Sequence, residues 1–205
     1  GTASASEGLD FWGSRGALDG DIASTQGLPG LGQRREWKQI DVPGATCGDG
    51  SAYSVFVSPG DPEKLVMSFM GGGACWNYDT CYGPARLTWL KGVNQPRDRM
   101  GGIYSADANS NPAAEYSMIH FPYCTGDVHL GRHTTRYRGK IVHHVGADNV
   151  DKAVAELERT GWIHPEKTSD LVVYGYSAGA IGALYHADAL DKKFAATPRK
   201  SLLSD

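Results

Sequence analysis

The chain has 205 residues, a formal net charge of −3, 27 glycines and four cysteines. This length suffices for one domain with a sizeable core, and the near-neutral charge offers no basic field to a nucleic acid or an anionic membrane surface. The apolar runs are strand-sized and far shorter than the ~20 residues of a membrane-spanning helix. We therefore expect one globular domain with no nucleic-acid partner and no membrane span.

The first part of the chain predicts an arm followed by an antiparallel hairpin. Residues 1–35 are rich in Gly, Ser and Ala without a sustained hydrophobic period, so we expect an N-terminal arm and a domain covering 36–205. Strands are predicted at 36–42, 52–58 and 64–70, separated by turn-forming residues. The first two of these strands indicate the hairpin.

The middle of the chain predicts loops that leave the ends of strands. The third strand runs directly into three glycines at 71–73, which lets backbone approach a ligand closely. Residues 83–113 are predicted to form a long excursion with a short helix at 85–90, and loops of this length are usually functional. A strand at 116–121 then leads into turn residues at 122–127.

The last third alternates helices with strands. A helix is predicted from Asp148 as its N-cap, then a strand at 170–175, a helix to about residue 189 and a final strand beginning at 201. This alternation predicts an α/β fold with a mostly parallel sheet. The final strand stops where the sequence stops, so we expect the sheet to be incomplete at its C-terminus.

The four cysteines, Cys47, Cys75, Cys81 and Cys124, lie beside glycines or turns and allow three pairings. A bond between Cys75 and Cys81 would close a short loop and leave Cys47 to pair with Cys124. Zinc is the alternative, but the tight C-x-x-C pairs of structural zinc sites are missing from the sequence. We expect disulfides rather than a metal, and hence a secreted or periplasmic protein.

A candidate nucleophile follows the strand at 170–175. The sequence Gly175-Tyr176-Ser177-Ala178-Gly179 stands between that apolar strand and a helix rich in small residues, the context of a nucleophile elbow. Glycines on both flanks leave room for a tight turn that exposes the serine at the helix N-terminus. Ser177 is therefore the predicted nucleophile, although the motif alone is also met in ordinary loops.

Acyl transfer also needs N–H donors for the oxyanion and a proton acceptor. In this arrangement the residue after the nucleophile, Ala178, supplies one donor, and a glycine-rich loop after an earlier strand supplies others. The glycines at 71–73 stand at that place in the chain. A tight turn or bulge is the alternative reading of these glycines.

Three further residues are candidates for a substrate pocket. Trp76 follows the glycines, and Asp127 and His129 lie in the loop after the strand at 116–121, at the sheet edge that presents Ser177. Each also has a structural reading: packing beside a disulfide for Trp76, capping of its own turn for Asp127, and a buried or surface role for His129.

Three motifs resemble those of the pectin acetylesterase family in order and spacing. They are residues 70–77 (MGGGACWN), 122–131 (PYCTGDVHLG) and 175–180 (GYSAGA). The resemblance covers about residues 47–205. It implies an α/β-hydrolase fold and removal of acyl groups from hydroxyls without a metal or other cofactor.

The resemblance also implies roles for particular residues. Ser177 would be the nucleophile, and Gly72, Gly73 and Ala178 the oxyanion donors. Members of this family act on acetylated pectin or on a protein-linked fatty acid. We therefore expect a serine carboxylesterase that removes an acyl group, with acetyl as the expected group, from a carbohydrate or related hydroxyl ester.

The proton acceptor is not evident in the sequence. α/β-Hydrolases place an Asp or Glu and then a His after the serine, yet the only histidine after Ser177 is His186, about 13 Å along the same helix. We expect a C-terminal segment or a second polypeptide to supply the acid and the base. The alternatives are a non-catalytic fragment or pseudoenzyme that binds an acylated ligand, and a serine hydrolase of polyester or peptide substrates.

Overall fold

A computed structural model of the protein describes residues 35–96 and 101–205. The predicted arm at 1–35 lies outside this range except for Arg35. The guanidinium of Arg35 donates hydrogen bonds of 2.7 and 2.8 Å to the carbonyl oxygens of Ala113 and Tyr116. The boundary between arm and domain stays a prediction.

The described range contains eight strands, three α-helices and one 3₁₀ turn. The strands are β1 (Lys38–Thr46), β2 (Ala52–Ser58), β3 (Asp61–Phe69), β4 (Tyr116–Phe121), β5 (His133–Tyr137), β6 (Lys140–His144), β7 (Asp170–Gly175) and β8 (Arg199–Ser204). The helices are α1 (Tyr78–Cys81), α2 (Gly146–Arg159) and α3 (Ala178–Lys193), with a 3₁₀ turn at Gly102–Tyr104.

Six strands form the central sheet in the order β1-β2-β4-β3-β7-β8. The pairs β1/β2 and β2/β4 are antiparallel, whereas β4, β3, β7 and β8 run parallel to one another. The predicted N-terminal hairpin and mostly parallel α/β sheet are therefore confirmed. Because parallel strands end at the same edge, the segments that follow β3, β4, β7 and β8 meet there.

Helices α2 and α3 cover one face of this sheet. The buried side chains of α2 recur at helical spacing, as Val150, Ala153, Val154 and Leu157, and they join the main core with residues of the sheet. This confirms the predicted amphipathic helix. Fully buried Phe69 and Phe121 stack in the same core with ring centroids 4.8 Å apart.

The opposite face carries a smaller core around Val66, Met118 and Tyr104. A buried hydrogen-bond chain crosses this face: the Tyr104 hydroxyl bonds Ser68 Oγ and, at 3.3 Å, His120 Nδ1. The buried side chains of Ser68, Tyr104 and His120 are thereby paired. Tyr104 belongs to the long excursion after α1. The described part of this excursion therefore packs against the sheet.

The predicted helix at 85–90 is wrong. The helix in this region is α1, which begins earlier because the side chain of Asn77 accepts from Thr80 N–H and forms a capping box. Downstream backbone groups bond other segments instead, since Leu87 N–H donates to Thr80 and the Leu90 carbonyl accepts from Asp49. These long-range bonds keep 85–90 out of a helix.

The predicted start of α2 at Asp148 is also wrong. The helix begins at Gly146, and the carboxylate of Asp127 accepts from Gly146 N–H at 2.7 Å. Asp148 lies in the first turn and bonds Arg132 at 2.6 Å. A carboxylate 19 residues earlier in the chain thus caps the helix, which local sequence patterns do not reveal.

The hairpin of β5 and β6 was not predicted as a unit. Its strands are joined by Arg138 and Gly139, which both have positive φ, 48° and 82°. This is the backbone of a two-residue hairpin turn.

In the described part of the chain, no helix is long and apolar enough to cross a membrane.

Both predicted disulfides are present. Cys47 bonds Cys124 across 77 residues of sequence, and Cys75 bonds Cys81 across six. The first ties the end of β1 to the loop after β4, and the second ties the segment after β3 to α1.

We predict unequal losses of stability when the two disulfides are removed. Replacing Cys47 and Cys124 together by Ala should lower the free energy of unfolding by roughly 4 kcal/mol, and replacing Cys75 and Cys81 by about 2 kcal/mol, because the longer loop loses more entropy when closed. Urea unfolding of both double variants under oxidising conditions measures the difference. Equal losses would contradict the prediction.

Candidate active site

The segments that carry the predicted site residues leave the same edge of the sheet. The triple-glycine loop (residues 71–73) follows β3, residues 122–131 follow β4, and the turn at Ser177 follows β7. The sheet therefore brings the three sequence motifs together at one edge. Ligands of open parallel sheets bind at this edge.

The turn at Ser177 has a strained backbone. Ser177 has φ 53° and ψ −125° and immediately precedes α3, and its side chain is on the exposed side of the fold. Its N–H donates to the carbonyl of Asp205 at 2.7 Å, and Asp205 N–H donates to Gly175 at 3.0 Å. A non-glycine residue in this region is uncommon, and such strain concentrates at functional sites.

The start of α3 lies against the end of β3 without intervening side chains. A Cβ added to Gly179 would lie 2.1 Å from the carbonyl oxygen of Phe69, and one added to Gly175 would lie 2.1 Å from that of Gly179. Both flanking glycines are therefore required by close contact, as the sequence predicts. The contact brings Ser177 beside the triple-glycine loop.

The triple-glycine loop is enclosed on several sides. A Cβ on Gly71 would lie 3.0 Å from Ser177 Cβ, and one on Gly72 would lie 2.6 Å from the ring of Tyr123. Gly73 has φ 69°, and its Cβ would lie 1.9 Å from the carbonyl oxygen of Leu87. No side chain fits at these three positions.

The predicted oxyanion donors have unused N–H groups. Within residues 35–96 and 101–205, the backbone N–H groups of Gly72, Gly73 and Ala178 donate to no protein acceptor. Ala178 is the first residue of α3, where N–H groups have no partner inside the helix and the helix dipole favours negative charge. Such groups are free to bind an anionic oxygen.

Trp76 lies beside the Cys75–Cys81 disulfide and is 61% exposed. The backbone N–H of Trp76 donates to Thr80 Oγ1 at 3.1 Å. The residues that cap α1 therefore hold the backbone of Trp76, while its side chain faces solvent. The sulfurs of Cys75 and Cys81 and a ring nitrogen of His144 lie within 4.8 Å of one another. In the structure both sulfurs are bonded to each other.

Asp127 holds backbone together. Its carboxylate accepts four hydrogen bonds, from the Thr125 hydroxyl and from the N–H groups of His129, Gly131 and Gly146, at 2.6 to 3.2 Å. These bonds order the loop after β4 and cap α2. The described contacts of Asp127 are thus internal to the protein.

His129 is 2% exposed and lies between α3 and the triple-glycine loop. Its Nε2–H donates to the carbonyl of Met70 at 2.9 Å, and its own carbonyl accepts from His186 Nε2–H at 2.9 Å. Burial lowers the pKa of His129 to about 4 and also lowers that of His186. Both rings are therefore neutral near pH 7.

A base for Ser177 is not found among these groups. In the described chain, no histidine nitrogen or carboxylate oxygen hydrogen-bonds Ser177 Oγ. The ring of His186 stacks on Phe69 at 5.5 Å and is 3% exposed, so it faces the core.

The sequence pattern did not single out two residues that shape the site. Tyr123 places its ring against Gly72 and accepts Val128 N–H on its hydroxyl at 2.7 Å. Met70 offers the carbonyl that His129 binds. Tyr123 precedes Cys124 in the second motif, but nothing in the spacing indicates which glycine it would face.

Comparison with known proteins relates this arrangement to ester hydrolases. The sequence model described as Pectinacetylesterase matches residues 37–205. The chain is 27% identical over 154 residues to the palmitoleoyl-protein carboxylesterase NOTUM of Schmidtea mediterranea, with 72% of this chain and 28% of that protein covered.

It is also 25% identical over 176 residues to pectin acetylesterase 11 of Arabidopsis thaliana, with 79% of this chain and 42% of that protein covered. The chain therefore spans less than half the length of these curated relatives.

We predict that a side chain at Gly179 separates α3 from β3. Gly179→Ala should lower the free energy of unfolding by about 2 kcal/mol or more, because the new Cβ meets the fixed carbonyl of Phe69. Gly101→Ala is the control, since a Cβ there meets nothing within 4 Å among the residues that the structure describes. Urea unfolding of both variants measures the effect, and equal stabilities would contradict the prediction.

We predict an acid-dependent loss of stability from the buried histidines. Burial lowers the pKa of His120 to about 3 and that of His129 to about 4, from 6.5. The unfolded chain then binds more protons below pH 6.5, so each histidine lowers stability by about 1.4 kcal/mol per pH unit as the pH falls toward its folded pKa.

His120→Gln tests this dependence. The variant should lose less stability than the wild type as the pH falls below 6.5, because one titrating group is gone. Urea unfolding over this pH range gives the two slopes. Identical slopes would show that His120 does not carry this dependence.

Proposed function

We propose that this chain, which belongs to the pectinacetylesterase family, carries the nucleophile and the oxyanion donors of a serine ester hydrolase. The observation that carries the proposal is the contact between two features. The strained, exposed Ser177 stands beside a triple-glycine loop whose N–H groups at Gly72 and Gly73 have no protein acceptor in the described chain.

In the proposed reaction, Ser177 Oγ attacks the carbonyl carbon of an ester. A base takes the hydroxyl proton, and the negative charge on the carbonyl oxygen is bound by the N–H groups of Gly72, Gly73 and Ala178. The C–O bond then breaks, the leaving alcohol takes up the proton, and the acyl group remains on Ser177. Water releases it as a carboxylic acid by the reverse roles.

We infer that the base and its supporting carboxylate come from residues other than the described histidines. Two observations support this inference. The ring nitrogens of His129 and His186 that lie near the site bond backbone carbonyls, and the curated relatives are longer than the matched segment. A C-terminal segment or a second polypeptide would supply both groups.

The proposed substrate is an acylated carbohydrate or a related hydroxyl ester, with acetyl as the acyl group. The relatives support this class, because one is named as a pectin acetylesterase and the other as a carboxylesterase that acts on a palmitoleoyl-protein. The exposed ring of Trp76, on the segment that follows the triple-glycine loop, offers a face on which a sugar could stack. The two disulfides favour an oxidising compartment, either extracellular or periplasmic.

A second candidate function is binding of an acylated ligand without turnover. It is favoured by one observation, that no described base contacts Ser177 Oγ. The two functions differ in the reactivity of the serine. A fluorophosphonate labels a serine only when a base and oxyanion donors activate it.

We predict that Ser177→Ala abolishes both labelling and turnover. In the full-length protein, fluorophosphonate should modify the wild type at Ser177, and the variant should lose at least about a thousandfold in kcat for release of acetate from acetylated oligosaccharide. Ser169→Ala is the matched control and should behave as the wild type, because this serine precedes β7 at the end opposite Ser177 and its hydroxyl bonds the Glu63 carbonyl.

Mass spectrometry of the labelled peptide and an acetate assay measure these outcomes. An unlabelled wild type would favour the binding function. Labelling with faster release of long acyl chains than of acetate would keep the chemistry and change the substrate.

A further inference from the structure

Hydrogen bonds to β4 and the loop after it hold the triple-glycine loop at both of its ends. Before it, Met70 N–H donates to Phe121 at 3.0 Å and the Met70 carbonyl accepts from His129 Nε2–H at 2.9 Å. After it, Cys75 N–H donates to Gly126 at 2.8 Å. All of these partners come from β4 and the loop that follows it.

External support of this kind matters because of the loop's composition. Glycine has no side chain to pack and loses the most conformational freedom on ordering. Residues 71–73 therefore have no means of their own to aim their N–H groups. The direction of those groups depends on how the flanking peptides are oriented.

His129 is the one side chain among these supports, since the other partners are backbone groups. Its bond fixes the carbonyl of the peptide that joins Met70 to Gly71. A peptide is planar, so fixing its carbonyl also fixes the N–H of Gly71 and the direction in which the loop departs. The geometry requires the proton on Nε2, because a carbonyl oxygen only accepts.

The backbone that presents His129 is unusual. Val128 and His129 have consecutive positive φ angles, 52° and 65°, and for a β-branched residue such as Val128 this conformation is a genuine outlier. Tyr123 Oη binds Val128 N–H, and Asp127 binds His129 N–H at 3.2 Å. Strain of this kind persists only where the surroundings determine it and is concentrated at functional sites.

The ring of His129 is also closely enclosed. It meets the Phe69 ring edge-on at 5.5 Å and lies 4.9 Å from the Tyr123 ring. A Cβ on Gly182 of α3 would approach His129 to 2.9 Å. The ring is thus locked between α3, the end of β3 and the loop after β4.

We propose that His129 is a positioning residue that aims the donors of the triple-glycine loop at the ester oxygen. In this role it acts through the Met70–Gly71 peptide rather than by contact with the reacting atoms. This inference rests on the proposed function and deepens it. Preorganised donors lower the barrier because they need no reorientation as charge develops on the oxygen.

The test compares side chains that differ in reach. Gln places an amide N–H near the position of Nε2, whereas Asn is too short and Met has no donor. In the full-length protein, His129→Gln should keep kcat within about threefold of the wild type. His129→Asn and His129→Met should lose about 10- to 100-fold in kcat, with KM for a small acetyl ester within about twofold.

The rate of fluorophosphonate labelling at Ser177 should fall in parallel, and thermal unfolding monitors folding. His120→Met is the matched control: His120 is 1% exposed on the opposite face of the sheet, so the substitution should cost stability and leave kcat unchanged. If His129→Met does not fold, the Gln and Asn variants decide the outcome, because both are polar and differ chiefly in reach.

The outcomes separate this inference from the proposed function. A wild type that is neither labelled nor active would remove the proposed function and this inference with it. A labelled wild type together with equal kcat for the Gln and Asn variants would overturn the inference alone. An equal loss of kcat in His120→Met would also overturn it, because the effect would then follow from loss of core packing.

Discussion

The arrangement of this edge of the sheet depends on the direct backbone contact between α3 and β3. Gly179 lies so close to the carbonyl of Phe69 that an added Cβ would approach it to 2.1 Å. Because nothing separates the helix from the strand, the turn between β7 and α3 must be sharp, and Ser177 adopts its positive φ within it. The same contact brings Ser177 to the segment that continues β3, where the N–H groups of Gly72 and Gly73 have no acceptor within residues 35–96 and 101–205.

The loop after β4 complements this contact from the other side. Asp127 gathers four donors, one of them at the start of α2, so a single carboxylate orders a loop and caps a helix. Tyr123 and His129 then lie against the triple-glycine loop, and Gly126 binds its far end. Glycine restricts its own backbone little, so the conformation of this loop depends on these surrounding contacts.

In the described part of the site, backbone groups rather than histidines provide positive potential. The histidines nearest to it are buried, and burial lowers the pKa of both His129 and His186, so they carry no charge near neutral pH. Peptide N–H groups and the start of α3 then provide the positive potential beside Ser177. In a water-excluded site, such fixed dipoles stabilise a developing oxyanion more strongly than solvent does.

The sequence by itself determined the class of the fold and the order of its elements, apart from α1 and the hairpin of β5 and β6. Periodicity and turn residues predicted β2, β4 and β7 at their observed bounds, the amphipathic part of α2, and the parallel sheet. They also predicted both disulfides and the glycine-flanked turn at Ser177. The strands, the helix and the turn at Ser177 follow from residue types at short spacing. The Cys47–Cys124 pairing spans 77 residues and was inferred only because the short Cys75–Cys81 bond leaves these two cysteines over.

Tertiary structure decided what depends on partners distant in the chain. The start of α2 is determined by Asp127, and the helix expected at 85–90 is replaced by bonds to Thr80 and Asp49. His129 faces inward to Met70 because α3, Phe69 and Tyr123 enclose its ring. Local patterns cannot specify such contacts, because a hydrogen-bond partner 19 or 59 residues away is chosen only when the sheet brings both segments together.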